Sequence, residues 1–355
     1  MVAEQSLQMP RASEALLLDA THVGGRILVA GDHGHILYSD DEGNSWQQAA
    51  VPSRAMLTAI HFPRPDRGWA VGHDGVILAS TDRGESWTVQ RDGLVAQKAV
   101  NLERLRDLEK QLSQCNQSAL DGTAATAPGA PCDELDDLTF DLEDARSRVN
   151  EPVHAPPLLD VYFSDALHGV AVGAFNTLLR TTDGGLTWTL QSDQVDNPDE
   201  FHLNAVTGDG GNQLWIAAEG GLLFSSADGG ASWKSLESPY HGSWFGIARA
   251  PGSGELLIFG LRGNLYRSDD SGQTWQRVEV ATDRTLAGGA FINDKYVLLV
   301  GAVGTLLVSE NGALSFSVKS SGTRQNLSAV TSVASSAVLV GQGGVHHVRP
   351  FGGDQ

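Results

Sequence analysis

Five aspartates recur at one fixed place in a repeated phrase, and carboxylates held at constant spacing invite a test for acid–base chemistry. Asp41, Asp82, Asp183, Asp228 and Asp270 each stand third in the eight-residue pattern Ser/Thr-x-Asp-x-Gly-x-Ser/Thr-Trp, which ends in Trp46, Trp87, Trp188, Trp233 and Trp275. A worn sixth copy, Ser309 to Phe316, keeps the frame but loses the Gly and the Trp. The neighbours decide the role. A hydroxyl, a carboxylate and a glycine within five residues form turns, because the oxygens accept backbone N–H groups and Gly takes backbone angles closed to other residues. These aspartates and tryptophans are therefore read as structural.

No other pattern supplies a catalyst. The chain has no Gly-x-Ser-x-Gly, His-Glu-x-x-His, Cys-x-x-Cys or phosphate-loop sequence. Sialidases carry the same Asp phrase, away from their chemistry, but the Arg-Ile-Pro motif of those enzymes is missing here. His346 and His347 are adjacent in a strand and point to opposite faces, so they cannot share one metal. His33 with His35, and His73, lie in turns from which an ion is in reach, yet turn residues are the simpler reading. Acidic pairs such as Asp136-Asp137 read as a solvated helix face. No catalytic residue, metal or cofactor is assigned.

Cationic and titratable side chains recur differently. Arg54, His154, His202, His241, Arg284 and Arg324 each stand just before the first strand of a repeat, and Arg262 stands in a glycine turn. The chain has 24 Lys and Arg against 43 Asp and Glu, a formal charge of −19. Such a balance argues against nucleic acid, which needs clustered Lys and Arg. Cations recurring at one repeat position in an acidic chain predict a positive rim. Trp244 and Phe245 take the places held by Leu57 and Thr58 in the second repeat. Arg54, His202, His241, Trp244, Phe245, Arg262, Arg284 and Arg324 form the candidate partner-binding set.

The elements that position them follow from a repeat of about 42 residues. Residues 57–90 show four short β-rich runs separated by turns, with no room for a helix. Four strands per repeat, closing in a ring, make a β-propeller blade. A second phrase, from Ala30-Gly-Asp-His-Gly34 to Val340-Gly-Gln-Gly-Gly344, occurs seven times. The expected fold is all-β: a seven-bladed propeller, with blades one and two in residues 1–91 and blades three to seven in 153–355. The last repeat lacks a fourth strand, so residues Gln5–Pro10 are expected to supply it and close the ring. Connectors between blades share a face with the glycine turns, opposite the Asp phrases.

Residues 92–152 interrupt the repeat. Leucines 102, 105, 108 and 112, then 135, 138 and 142, lie at helical spacing, which predicts an αα-hairpin. Both cysteines, Cys115 and Cys132, flank its turn and are expected to form a disulfide, and with it an oxidising compartment such as the periplasm. The hairpin leaves from the rim face, where an insertion suits a docking arm. No run of 18 apolar residues spans a membrane, and Met1 to Pro10 does not read as a signal peptide.

Residues 57–87 join Leu-x-Ala-Ile-x-Phe, Gly-Trp-Ala-Val-Gly-x-x-Gly and Ile-Leu-x-Ser-x-Asp-x-Gly-x-Ser-Trp. The composite resembles the photosystem II stability and assembly factor family (Ycf48-like), and the resemblance covers all seven blades but not the hairpin. It implies a non-enzymatic lumenal or periplasmic protein that binds membrane-protein partners through an arginine-rich patch. Arg54, Arg284 and Arg324 match that patch by face. For a non-photosynthetic relative, it implies as partner an integral membrane complex, such as a resistance-nodulation-division (RND) transporter. Two other functions fit the propeller: a glycoside hydrolase or sialidase-like enzyme, and a carbohydrate-binding module.

Overall fold

The computed structural model describes residues 4–120, 135–333 and 336–351. It divides into two units, residues 92–155 and the remainder. The larger unit is an all-β propeller of seven antiparallel sheets. Their first strands are Leu17–Val23, Leu57–Arg64, Leu158–Phe163, Leu203–Gly208, Trp244–Arg249, Leu286–Phe291 and Leu327–Val333. Each packs beside the next, and Leu327–Val333 returns to Leu17–Val23 to close the ring.

The second strands, such as Val297–Gly301, are buried along all or nearly all of their length. Each sheet is covered on both sides by its neighbours, so these strands read as continuous apolar runs rather than alternating ones. The repeated tryptophans fill the gaps between sheets. Trp87 packs with Leu28 and Ile36 of the first sheet and with Leu57 and Phe62 of the second.

Every copy of the Asp phrase makes one hydrogen-bonded turn. Ser39 Oγ donates to Asp41 Oδ1 (2.7 Å) and accepts the Gly43 N–H (2.8 Å), while Asp41 accepts the Ser45 N–H (2.8 Å) and hydroxyl (2.6 Å). Those donors, led by the Ser45 hydroxyl, pull the Asp41 carboxyl down to about 2. The worn copy makes the same turn with an amide: Asn311 Oδ1 accepts the Ser315 N–H (3.1 Å) and Asn311 Nδ2 donates to Ser315 Oγ (2.9 Å). Ala313 there takes φ 63°, where Gly43 takes 85°.

The closing strand expected from Gln5–Pro10 is not formed. Among the described residues the seventh sheet has three strands, whereas the other six have four. The N-terminal stretch runs beside the first sheet instead. Ser6 N–H donates to Val51 O (2.9 Å), its hydroxyl to His33 O (3.0 Å), and Gln48 Nε2 to Leu7 O (2.8 Å). Closure comes from other contacts. His347 Nε2 pairs with Gly43 O at 2.9 Å, and the turn Ala12–Glu14 packs on Gly344–Val348. Phe351, packed on the sixth and seventh sheets and 4.7 Å from the Tyr296 ring, fills the gap that a tryptophan fills elsewhere.

The smaller unit holds α1 (Gly93–Leu120) and α2 (Leu135–Asn150). They pack through Leu108, Cys115, Leu138, Leu142 and Ala145, with Arg104 of α1 on Asp141 of α2 (3.0 Å). Cys132, and so the expected Cys115–Cys132 disulfide, lies outside the described residues.

Candidate functional site

In each sheet the glycine turn docks on the residue before its own first strand. Asp32 N–H donates to Leu16 O, His73 to Met56 O, Glu219 to His202 O, Leu261 to Ser243 O and Gln342 to Asn326 O, all within 3.2 Å. The other side of the turn meets the connector into the next sheet. A Cβ on Gly34 would lie 2.1 Å from Ser53 O, on Gly221 2.2 Å from Tyr240 O and on Gly304 2.0 Å from Thr323 O. That approach is why glycine recurs there. Turns and connectors thus form one face, and Arg54, His241, Arg284 and Arg324 sit on it, exposed.

The cations differ in their partners. Arg54 Nε donates to Gln5 O (3.0 Å) and Nη1 pairs with Glu4 (3.0 Å). Arg284 stands 3.9 Å from exposed Asp283. Among the described residues Arg262, Arg324 and His241 have no ion-pair partner. Arg262 is held outward at φ 56°. His202 is half-buried, with Nδ1 3.5 Å from Glu219 Oε2 and accepting the Phe175 N–H at 3.4 Å.

Trp244 is not a surface residue. It is 0% exposed, packed among Trp215 and Leu223 of the fourth sheet and Leu256 of its own, with Nε1 donating to Ser238 Oγ (3.2 Å) and Gly221 O (3.3 Å). The sequence placed it at a strand start, but the strand register points it between sheets. Its neighbour Phe245 sits at the bulge of that strand and lines the central channel.

The channel is a cavity of about 360 Å³ and holds residues that sequence reasoning passed over. Asp19 and Asp160 stand where the other first strands carry Ala59, Ala205, Gly246, Gly288 and Ala329. Each carboxylate spans to the next sheet: Asp19 accepts the Ile60 N–H and Asp160 the Val206 N–H, both at 2.8 Å. Hydroxyl and amide groups make the alternate ties, Thr58 Oγ1 to Leu158 O (2.7 Å) and Asn204 Nδ2 to Trp244 O (2.8 Å). Burial pushes Asp19 up to about 6. It pushes Asp160 up to about 7, with the negative charge of Asp19 adding to the effect. Aligning the seven repeats on their first strands would have exposed both acids.

The comparisons with known proteins agree with this architecture. A model of the family described as photosynthesis system II assembly factor YCF48 matches residues 143–281. The photosystem II assembly protein Ycf48 of Synechococcus sp. (strain JA-3-3Ab) is 26% identical over 75% of this chain and 76% of its own. The chain is thus similar to Ycf48 over three quarters of its length. The photosystem II assembly lipoprotein Ycf48 of Synechococcus sp. (strain CC9902) is 35% identical, but over only 33% of this chain and 35% of that relative. A solved structure, YCF48 bound to D1 peptide, superposes at a TM-score of 0.62, with 15% identity and coverage of 97% and 95%. The Niastella koreensis GH74 enzyme reaches 0.65 at 14% identity, covering 98% of this chain and 53% of its own. At such identity these structures speak for the fold alone. No helix among the described residues is long and apolar enough to cross a membrane.

Proposed function

We infer that the protein is a non-enzymatic assembly or accessory factor that holds a segment of a membrane-protein partner on the turn-and-connector face. The observation that carries this reading is the pair Arg262 and Arg324, exposed on that face and without ion-pair partners among the described residues. Among the described residues no carboxylate uses these charges, which leaves them to a carboxylate-bearing segment, giving register and encounter rate more than raw affinity. The relatives named as photosystem II assembly proteins support the class of function, and the peptide-bound YCF48 structure supports a peptide as what such a propeller takes.

A glycosidase reading would need a free carboxylate pair. Asp19 and Asp160 each accept two backbone N–H groups as ties in the wall of the ring, a structural use of both acids.

The finer reading is a periplasmic protein serving an integral membrane complex such as an RND transporter, with the helical hairpin as an additional docking arm. It rests on the family resemblance. Photo-crosslinking in cells from positions neighbouring Arg262 and Arg324, which keep both arginines, and from hairpin positions tests it. Capture of one integral membrane protein, lost in the Arg262→Ala/Arg324→Ala variant, is the expected result. Equal capture by wild type and variant would remove the basic residues from the contact. Deleting residues 95–150 should leave the propeller folded and abolish capture, and undiminished capture would remove the hairpin from the reading.

A further inference from the structure

The third sheet departs from the repeat on this same face. Its turn carries Phe175 at φ 53° followed by Asn176 at φ 55°, where Gly34, Gly75, Gly221, Gly263, Gly304 and Gly344 stand in the other copies. The connector that follows is held to the turn by a buried amide clamp. Asn176 Nδ2 donates to Ser192 O (3.0 Å), and Asn197 Nδ2 donates to Asn176 Oδ1 (3.1 Å) and Phe201 O (2.8 Å).

The clamp presents Phe175. Its ring is 59% exposed and meets the His202 ring edge-on, with centroids 5.0 Å apart. Apart from His202, the ionisable side chains of this turn and connector are acidic. Glu219 pairs with His202, Glu200 is exposed one residue from the Phe201 carbonyl that accepts the Asn176 N–H, and Asp193, Asp196 and Asp199 lie exposed on the same connector. No lysine or arginine occurs between Arg180 and Lys234. The face therefore has an acidic, aromatic sector at the third and fourth sheets, apart from Arg262, Arg284 and Arg324 at the fifth to seventh.

We propose that Phe175 and the surrounding carboxylates form a docking surface for a basic, arginine-bearing protein segment. A guanidinium is weakly hydrated and planar, so it stacks on an aromatic ring while its edge pairs with a carboxylate such as that of Glu200. Lysine matches the charge but not the stacking. This surface stands apart from the basic arc and makes the face read a partner of both charges.

The test titrates the full chain with a blocked peptide of alternating arginine and alanine, and with its lysine counterpart, at about 50 and 300 mM salt, where screening separates exposed charge pairs. The arginine peptide should bind more tightly than the lysine peptide. Phe175→Asn, whose side chain tolerates the left-handed backbone, should weaken it about fivefold, a cation–π contact's share, with an unchanged or higher Tm. Glu200→Gln should flatten the salt dependence without touching the backbone. Arg262→Ala/Arg324→Ala should leave this binding intact, which separates it from the basic arc. Equal binding of the two peptides, wild-type affinity in Phe175→Asn, or no binding at low salt would overturn the proposal.

Discussion

Asp19 and Asp160 are equivalent residues two sheets apart, and each carboxylate reaches across the channel wall to a backbone N–H of the following sheet. Burial, with the negative charge of Asp19 adding to it, holds the Asp160 carboxyl above its ordinary range. The propeller therefore carries two carboxyl groups at its axis, tied to backbone and desolvated.

A pH dependence follows from these two acids. Their folded-state values, about 6 and about 7, lie above the ordinary value of 3.8, so the folded chain takes up protons that the unfolded chain has released. Acidification from about pH 7.5 towards 5 should raise stability. Below about pH 4 the trend reverses, because Asp41, Asp183, Asp228 and Asp270, held near 2 by turn donors led by hydroxyls, then lose stabilising charge. Tm measured across pH 3–8 should pass through a maximum. Asp160→Ala, which installs the residue of other first strands, should flatten the neutral limb, and an unchanged limb would refute the assignment.

The repeated turn makes its own forecast about side-chain chemistry. Asp228 accepts the Ser232 N–H (2.9 Å) and hydroxyl (2.6 Å), and Asn311 already performs the corresponding task in the sixth copy. Asp228→Asn should therefore cost under about 1 kcal/mol, while Asp228→Ala, which leaves the turn donors unpaired, should cost about 1–3 kcal/mol. Urea denaturation of the two variants measures the difference.

Two glycines separate strain from collision. Gly25 has φ 82° and open space around its absent Cβ, whereas Gly34, at φ 70°, would place a Cβ 2.1 Å from Ser53 O. Gly25→Ala should cost about 1–2 kcal/mol, the left-handed penalty alone. Gly34→Ala should exceed it by at least about 2 kcal/mol, because backbone must move as well. Comparable losses in the two would mean that the connector yields freely.

Trp244 and Phe245 are neighbours with different roles. Trp244→Ala should destabilise by about 3–5 kcal/mol through an unfilled core site, whereas Phe245→Ala, on the channel wall, should cost under about 2 kcal/mol. Thermal melts check this, and a mild Trp244 variant would contradict its enclosure.

Much of this molecule was legible in its sequence. The 42-residue period, the Asp turn and the glycine turn are local devices, set by hydrogen bonds and backbone angles within eight residues, and each reappears in the structure. The helical stripes of Leu108, Leu138 and Leu142 found each other for the same reason. Local spacing also placed Arg54, His241, Arg284 and Arg324 on one face, since connectors of equal topology must emerge together.

What the tertiary structure decided depends on contacts between sheets far apart in the chain. Periodicity cannot tell a strand-start tryptophan that faces a channel from one that packs between sheets, and register sent Trp244 inward and Phe245 to the channel wall. It also could not tell where Gln5–Pro10 lies, because a short stretch pairs with whichever carbonyls the fold presents, here Val51 O and His33 O. Asp19, Asp160 and Phe175 look like ordinary surface residues until the ring closes. Closure turns two of them into the axis of the molecule and leaves the third exposed in a field of carboxylates, because burial and charge environment are properties of the assembled ring.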